Sequence, residues 1–388
     1  MLRSAAACLL VVLLFASAES AVAASSSPRT SARPADTVAR LSRRQLLRAY
    51  RQQQERGTAA KKPVATPAKP TPASRVTSPT YDTLPDTAVR SQLLLLGQTT
   101  PLLAGVRVFS NTEPVQATEI VVTLVSEAAS VSQMLVYDQT GRFLATASQD
   151  ADDSTNRTYS TTLPSGTLEL PYRREISLSV RARLKPHTSG GASGDDIQVS
   201  AIRVNGNGSW SNADYSQASS ETFNVFEATR ARFARIENAG DATAILTGGT
   251  DQLLASFRFT GEETDTAAQL RVTDLTFTLD SYGGVTVSNP VLRVASANDT
   301  FACTAGASTI TCSGITSGFG TVDAGALTLR VYGNVALGSG TSEQFLRLTL
   351  NNPGTPSSAG AITWTDGTSS FSWVGGDQPI MRGTAMSR

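Results

Sequence analysis

The chain has 388 residues, 40% of them hydrophobic, with three cysteines and a single histidine. That length holds two domains of ordinary size plus tails, and one histidine excludes a His-rich metal centre. The formal net charge of +1 conceals an asymmetry: 13 Lys and Arg face 4 Asp and Glu over residues 28–90, and the remainder is acidic.

Residues 1–23 read as a signal peptide. Arg3 supplies the positive start, Ala5 to Phe15 the apolar stretch, and Ala16-Ser17-Ala18 or Ala21-Val22-Ala23 the small-residue cleavage site. The apolar run is too short to span a bilayer, and no second run of spanning length follows. The expectation is an exported protein, secreted or held at the cell surface, with no transmembrane segment in its mature form.

Residues 24–90 combine a basic helix with a Pro/Thr/Ala-rich linker. Asp36 is a fitting N-cap and Gly57 a fitting stop. Val38, Leu41, Leu46, Ala49 and Tyr50 share one helical face, and Arg40, Arg43, Arg44, Arg48 and Arg51 gather opposite. Such a helix suits an anionic polymer or membrane surface of the cell envelope, although an isolated helix of this length is marginal and equally suits a solvated tail. Six prolines between Pro63 and Pro85 make the rest of the segment an extended, largely disordered spacer.

From residue 91 the pattern changes to short alternating strands. Val106/Val108, Ile120/Val122/Leu124 and Ile176/Leu178/Val180/Ala182/Leu184 each place apolar residues on one face. Gly-, Ser- and Thr-rich turns separate them, and no helical period appears. The predicted fold is all-β: two tandem antiparallel β-sandwich modules, 91–235 and 236–388, immunoglobulin-like or jelly-roll-like, packed end to end.

An internal repeat supports two modules. Leu102-Leu103-Ala104-Gly105-Val106-Arg107-Val108 returns as Leu253-Leu254-Ala255-Ser256-Phe257-Arg258-Phe259, an offset of 151. Ile176, Leu178, Val180 and Leu184 map at that offset onto Leu327, Leu329, Val331 and Val335, and Ile197/Val199 onto Leu348/Leu350. Three segments sharing one offset read as a tandem duplication.

Cys303 and Cys312 flank a Gly-containing turn, a placement that in an exported chain predicts a disulfide. His187 stands in a Lys-Pro-His-Thr-Ser-Gly-Gly loop with no partner motif, so no nucleophilic triad forms around it. The acidic pairs Asp152/Asp153, Asp195/Asp196 and Glu262/Glu263 fall in predicted turns, where they read as solvated before they read as glycosidase carboxylates. No enzyme is expected, no cofactor, and no nucleic acid as partner. Asp150, Asp152, Asp153 and Asn156 crowd oxygens into one loop, which leaves a structural calcium as the only metal worth considering.

Trp210 lies in an unusually polar stretch, Gly206-Asn207-Gly208-Ser209-Trp210-Ser211-Asn212, with Tyr215 close behind. An exposed Trp/Tyr pair stacks on sugar faces, and the competing assignment is an indole folded over the end of the sandwich. Trp364 and Trp373 fall at strand parity and read as core or cross-strand partners.

The order of export signal, Pro/Thr linker and sandwich repeats resembles that of uncharacterised secreted or surface β-sandwich proteins of candidate-phylum bacteria. The segments Ala361-Ile362-Thr363-Trp364-Thr365-Asp366-Gly367 and Thr311-Cys312-Ser313-Gly314 carry the resemblance. It implies display at the cell surface and transfers no functional residues. The reading as a whole is a secreted or surface structural or adhesion protein, with a pair of carbohydrate-binding modules as the alternative and a hydrolase behind both.

Overall fold

The structure, a computed structural model, describes residues 90–219, 223–297, 299–340, 343–375 and 381–388. The signal peptide, the helix carrying Arg40, Arg43, Arg44, Arg48 and Arg51, and the Pro-rich linker lie outside the described residues.

The first sandwich contains β1 (Leu93–Leu95), β2 (Ala104–Val108), β3 (Val115–Leu124), β4 (Val131–Asp138), β5 (Phe143–Gln149) and β6 (Thr158–Thr162). It continues with β7 (Glu169–Leu170), β8 (Ile176–Leu184), β9 (Asp196–Ile197), β10 (Val199–Gly208), β11 (Asp214–Ala218) and β12 (Phe226–Thr229). Alternation decides which side of each strand is buried: Leu178, Val180, Ala182 and Leu184 of β8 point inward while Arg181 and Arg183 face solvent. Strand order runs β11-β10-β3-β6-β5-β4-β8-β2, so a single hydrogen-bonded path folds over on itself and β5 makes the turn.

The second sandwich contains β13 (Ala231–Asn238), β14 (Thr243–Ile245), β15 (Gly249–Glu263), β16 (Arg271–Tyr282), β17 (Thr286–Val294), β18 (Phe301–Ala302) and β19 (Thr304–Ala305). After it come β20 (Thr309–Ser313), β21 (Ala326–Ala336), β22 (Phe345–Leu350), β23 (Ile362–Thr365), β24 (Ser370–Phe371), β25 (Met381–Arg382) and β26 (Ala385–Ser387). Its faces are separate sheets, β13-β15-β21-β17-β18 and β14-β26-β22-β16-β20-β19, with β23 on β16 and β25 on β22. The seam that β5 carries in the first sandwich is split here. Cys303 lies between β18 of one sheet and β19 of the other, and its disulfide to Cys312 of β20 spans that split.

Strands matched by the sequence offset pair in matching register. Val106 faces Leu178 and Ala104 faces Val180 in the first sandwich; Phe257 faces Leu329 and Ala255 faces Val331 in the second. Ile120 faces Thr161 as Leu275 faces Cys312. The segment at Ile197 departs from this match, for Ile197 pairs with Phe226 and Leu348 with Leu279.

Two hydrophobic cores result. One gathers Ile120, Val122, Leu178 and Val180, and the other Phe257, Phe277, Leu329 and Trp364. The chain changes core between Ala228 and Ala231, so Ala231 and Phe233, which precede a boundary at 235/236, pack in the second. β1 touches both: Leu94 enters the first core, as does Leu96 just after the strand, and Leu93 enters the second, because neighbouring residues of an extended chain point to opposite sides.

Candidate functional site

Each sandwich has an end at the junction and a free end. β10 runs the length of the first, from Val199 beside the junction to Gly208, roughly 30 Å away. The hairpin that follows, Gly208 to Ala213 between β10 and β11, carries Trp210 at its tip. The indole is 61% exposed. Its neighbour is Tyr172, 39% exposed, with ring centroids 6.0 Å apart and planes tilted by 55°. The Arg173 guanidinium lies over the Tyr172 ring at 4.9 Å, a cation–π contact.

This loop is rigidly held. Glu113 is buried, and its Oε2 accepts the backbone N–H groups of Trp210 at 2.6 Å and Ser211 at 2.9 Å. The Ser211 hydroxyl donates to Glu113 Oε1. Burial pushes the Glu113 pKa up, but the hydroxyl and amide donors outweigh it and hold the carboxyl below its ordinary value. Gly208 leaves the room this clamp needs, since a Cβ there would fall on the Glu113 carboxylate. Arg173 and Asn212 both adopt positive φ, 53° and 54°, a conformation that costs free energy for a long side chain such as arginine. An exposed aromatic pair therefore sits on a hairpin whose backbone the Glu113 carboxylate holds.

The junction is the second organised region. Asp366, fully buried in the β23–β24 turn, accepts hydrogen bonds from the Ser193 hydroxyl, from Thr229 Oγ1 at 3.0 Å and from Arg230 N at 2.9 Å. The amides of Thr368 and Ser369 donate to its other oxygen. Burial raises its pKa, and these donors together bring it below the ordinary value. Arg230 bridges to Asp265 at 2.7 Å and donates to Thr368 Oγ1 at 2.6 Å. The Thr264 hydroxyl reaches the Leu96 carbonyl at 2.8 Å, and Arg232 reaches that of Leu93 at 2.7 Å. These contacts run between the two sandwiches and join them.

The remaining sequence candidates are placed as follows. Tyr215 is 6% exposed on β11, beneath the Trp210 loop, and the exposed ring beside Trp210 is Tyr172 instead. Tyr172 is 38 residues away in sequence, and the pairing of β7 with β3 together with the isolated bridge between Ser110 and Tyr172 brings it there. Trp364 and Trp373 are buried, with Trp364 Nε1 donating to the Trp373 carbonyl at 2.7 Å. His187 opens a short 3-10 turn, and its Nδ1 lies 3.1 Å from the Gly191 carbonyl. Asp153 closes its own loop by accepting from Thr155, Arg157 and Thr158, and the Thr155 hydroxyl foremost holds its pKa well below the usual range. Its oxygens are thus directed into the loop. Among the described residues no group of three or more His, Cys, Asp or Glu is arranged to hold a metal ion, and no helix is long and apolar enough to cross a membrane.

No family model matches this chain, and no curated protein matches it. Solved structures with which it shares some likeness include the C-terminal domain of the Streptococcus pyogenes antigen I/II-family protein AspA, at 8% identity and a TM-score of 0.24, covering 79% of this chain and 98% of that one. The B domain of a biofilm associated protein aligns at 10% identity and a TM-score of 0.23, over 80% of this chain and 84% of that one. A structure named BspA_C_WT aligns at 8% identity and a TM-score of 0.21, over 76% of this chain and 95% of that one. At such scores the likeness decides neither topology nor function, and the reading of this chain rests on its own residues.

Proposed function

We propose that this chain is a non-enzymatic structural or adhesion protein that works outside the cytoplasm, presenting two duplicated and rigidly joined β-sandwiches. The observation that carries the reading is the Trp210–Tyr172 pair, exposed on a hairpin that the buried Glu113 holds in place. Such a surface suits contact, since large rigid rings gain much on burial and lose little side-chain entropy. The Cys303–Cys312 disulfide favours an oxidising compartment, in keeping with an export signal at residues 1–23. The matched registers of the two sandwiches favour duplication of one unit. The arginines at 40, 43, 44, 48 and 51 would add a salt-sensitive attachment to an anionic envelope polymer or membrane surface.

The test is co-sedimentation of the protein on isolated cell envelopes across a salt series, with and without residues 28–90 and with Trp210→Ala. The expected result is two components. One is salt-sensitive and disappears with the arm; the other resists salt and disappears with Trp210. Envelope binding indifferent to both changes would sink the proposal.

A second reading has one specific support. Arg173 beside the ring pair adds a hydrogen-bonding cation to an aromatic platform, the combination that suits a sugar ring bearing hydroxyl or carboxylate groups. Quenching of Trp fluorescence by a soluble acidic oligosaccharide, lost in Trp210→Ala, is its signature.

A further inference from the structure

The free ends of the two sandwiches repeat the two surfaces that meet at the junction. On the first sandwich the junction surface is built on β1, which pairs in parallel with β12. β14 pairs in parallel with β26 in the same way, and the closing hydrogen bond is the same, Leu96 N to the Thr229 carbonyl in one and Leu246 N to the Ser387 carbonyl in the other. Leu95 thus has its counterpart in Ile245. Leu95 is 3% exposed at the junction, on the same side of β1 as Leu93, whereas Ile245 is 80% exposed. At the same end the exposed Leu253 lines a cavity of about 360 Å³ together with Asp241, Ala244, Leu254 and Met386. Ile245 is thus bare where its counterpart Leu95 is covered.

The opposite surface recurs as well. At the junction the second sandwich offers the β23–β24 turn, where Val272 faces Trp364 and Trp364 faces Phe371. In the first sandwich Ala117 faces Gly206 and Gly206 faces Tyr215, which puts the β10–β11 hairpin in the same position on its sheet. The Asp366 turn receives Ser193 and Thr229; the corresponding Trp210 hairpin stands at the free end with its indole in solvent.

We infer that the free end of the second sandwich of one molecule docks on the Trp210 end of a second copy of this chain, reproducing the internal junction between molecules. This deepens the reading of the Trp210 end as a contact surface and names its partner. Trp210 and Tyr172 supply the aromatic side, Ile245 and Leu253 the aliphatic side, and Arg173 with Arg174 meet Asp241. The two patches differ, so the contact is heterologous: a docked pair keeps one unused end of each kind, and growth continues into a chain unless the rotation closes a ring.

The experiment is sedimentation velocity on the full chain over a wide concentration series, with Ile245→Asp and Trp210→Ala. Both residues are exposed, so melting temperatures should match the wild type and any loss of association is local. The weight-average mass of the wild type should climb with concentration past twice the monomer mass. Each variant alone should stay monomeric, lacking one end. A mixture of the two should form a one-to-one complex and stop there, since only one complementary pair of ends survives. A wild type that is monomeric throughout, association that persists in either variant, or a mixture that fails to pair would each overturn the inference. A monomeric wild type that still loses envelope binding on Trp210→Ala would overturn self-docking alone and leave the proposed function standing.

Discussion

The indole N–H of Trp373 donates to Glu227 Oε2 at 2.6 Å, and through that bond the core of the second sandwich grips the last strand of the first. Trp373 is buried among apolar neighbours, so its N–H has no water to fall back on. Trp373→Phe keeps a ring in the core but leaves the Glu227 carboxylate without this donor. The expected cost is about 1–3 kcal/mol at neutral pH, read from urea denaturation.

Asp366 gathers donors from both sandwiches, and its removal leaves the buried Arg230 amide without this acceptor, while the Thr229 hydroxyl keeps the Ala231 carbonyl. Asp366→Ala should destabilise the protein by about 3 kcal/mol or more, among the larger effects for a polar residue. Ser193→Ala removes one donor and should cost about 1 kcal/mol. Equal small losses in the two variants would contradict the role of Asp366 as the centre of the junction.

The junction carboxylates predict an unusual pH profile. Burial pushes the Glu227 pKa above its ordinary 4.5; the Trp373 donor opposes this, and the nearby Asp196 and Asp366 charges add to it. Burial and Asp195 push Asp196 up in the same direction. Both groups hold a proton more tightly folded than unfolded, so the stability they contribute is present at low pH and is lost as pH rises above the unfolded values through the folded ones. Asp366 behaves oppositely: its pKa lies below 3.8, so its contribution is present above that value and disappears as pH falls beneath it. Melting temperature should therefore be highest on the acid side of neutrality. Glu227→Gln, which keeps an oxygen for the Trp373 N–H, should flatten the decline toward neutral pH in a thermal-denaturation series.

Of the three tryptophans, Trp364 and Trp373 are buried, so acrylamide quenching reports chiefly on Trp210. Glu113→Ala removes the acceptor for the Trp210 and Ser211 amides and should raise fluorescence depolarisation of the exposed indole without a change in the buried pair. Acid should do the same to the wild type once the pH falls below the ordinary carboxylate value of 4.5 and protonation reaches Glu113. Unchanged anisotropy in the variant would mean that the loop needs no clamp.

The Cys303–Cys312 bond closes a loop of sequence separation nine across the split seam of the second sandwich. Replacing both cysteines by alanine should cost about 2–3 kcal/mol, an estimate from the chain entropy of a short loop. The first sandwich, whose seam is hydrogen-bonded through β5, should be indifferent to reductant, and hydrogen exchange under reducing conditions should show loosening confined to β18–β20.

The sequence alone determined the all-β architecture, because period-two alternation at residues such as Leu178, Val180 and Ala182 specifies a strand with one buried face. It also marked the Cys303–Cys312 pair and the strand parity of Trp364 and Trp373. Tertiary structure alone decided what each buried face packs against. Alternation states that Phe233 points inward without stating into which core, and nothing local distinguishes the Asp366 turn, which joins the sandwiches, from the Trp210 hairpin, which stands free. Tyr215 follows Trp210 closely in sequence yet is buried, while Tyr172, far back in the chain, becomes the ring beside it. Register between strands that are distant in sequence is set by long-range pairing, and that pairing is where the ends of this molecule acquire their character.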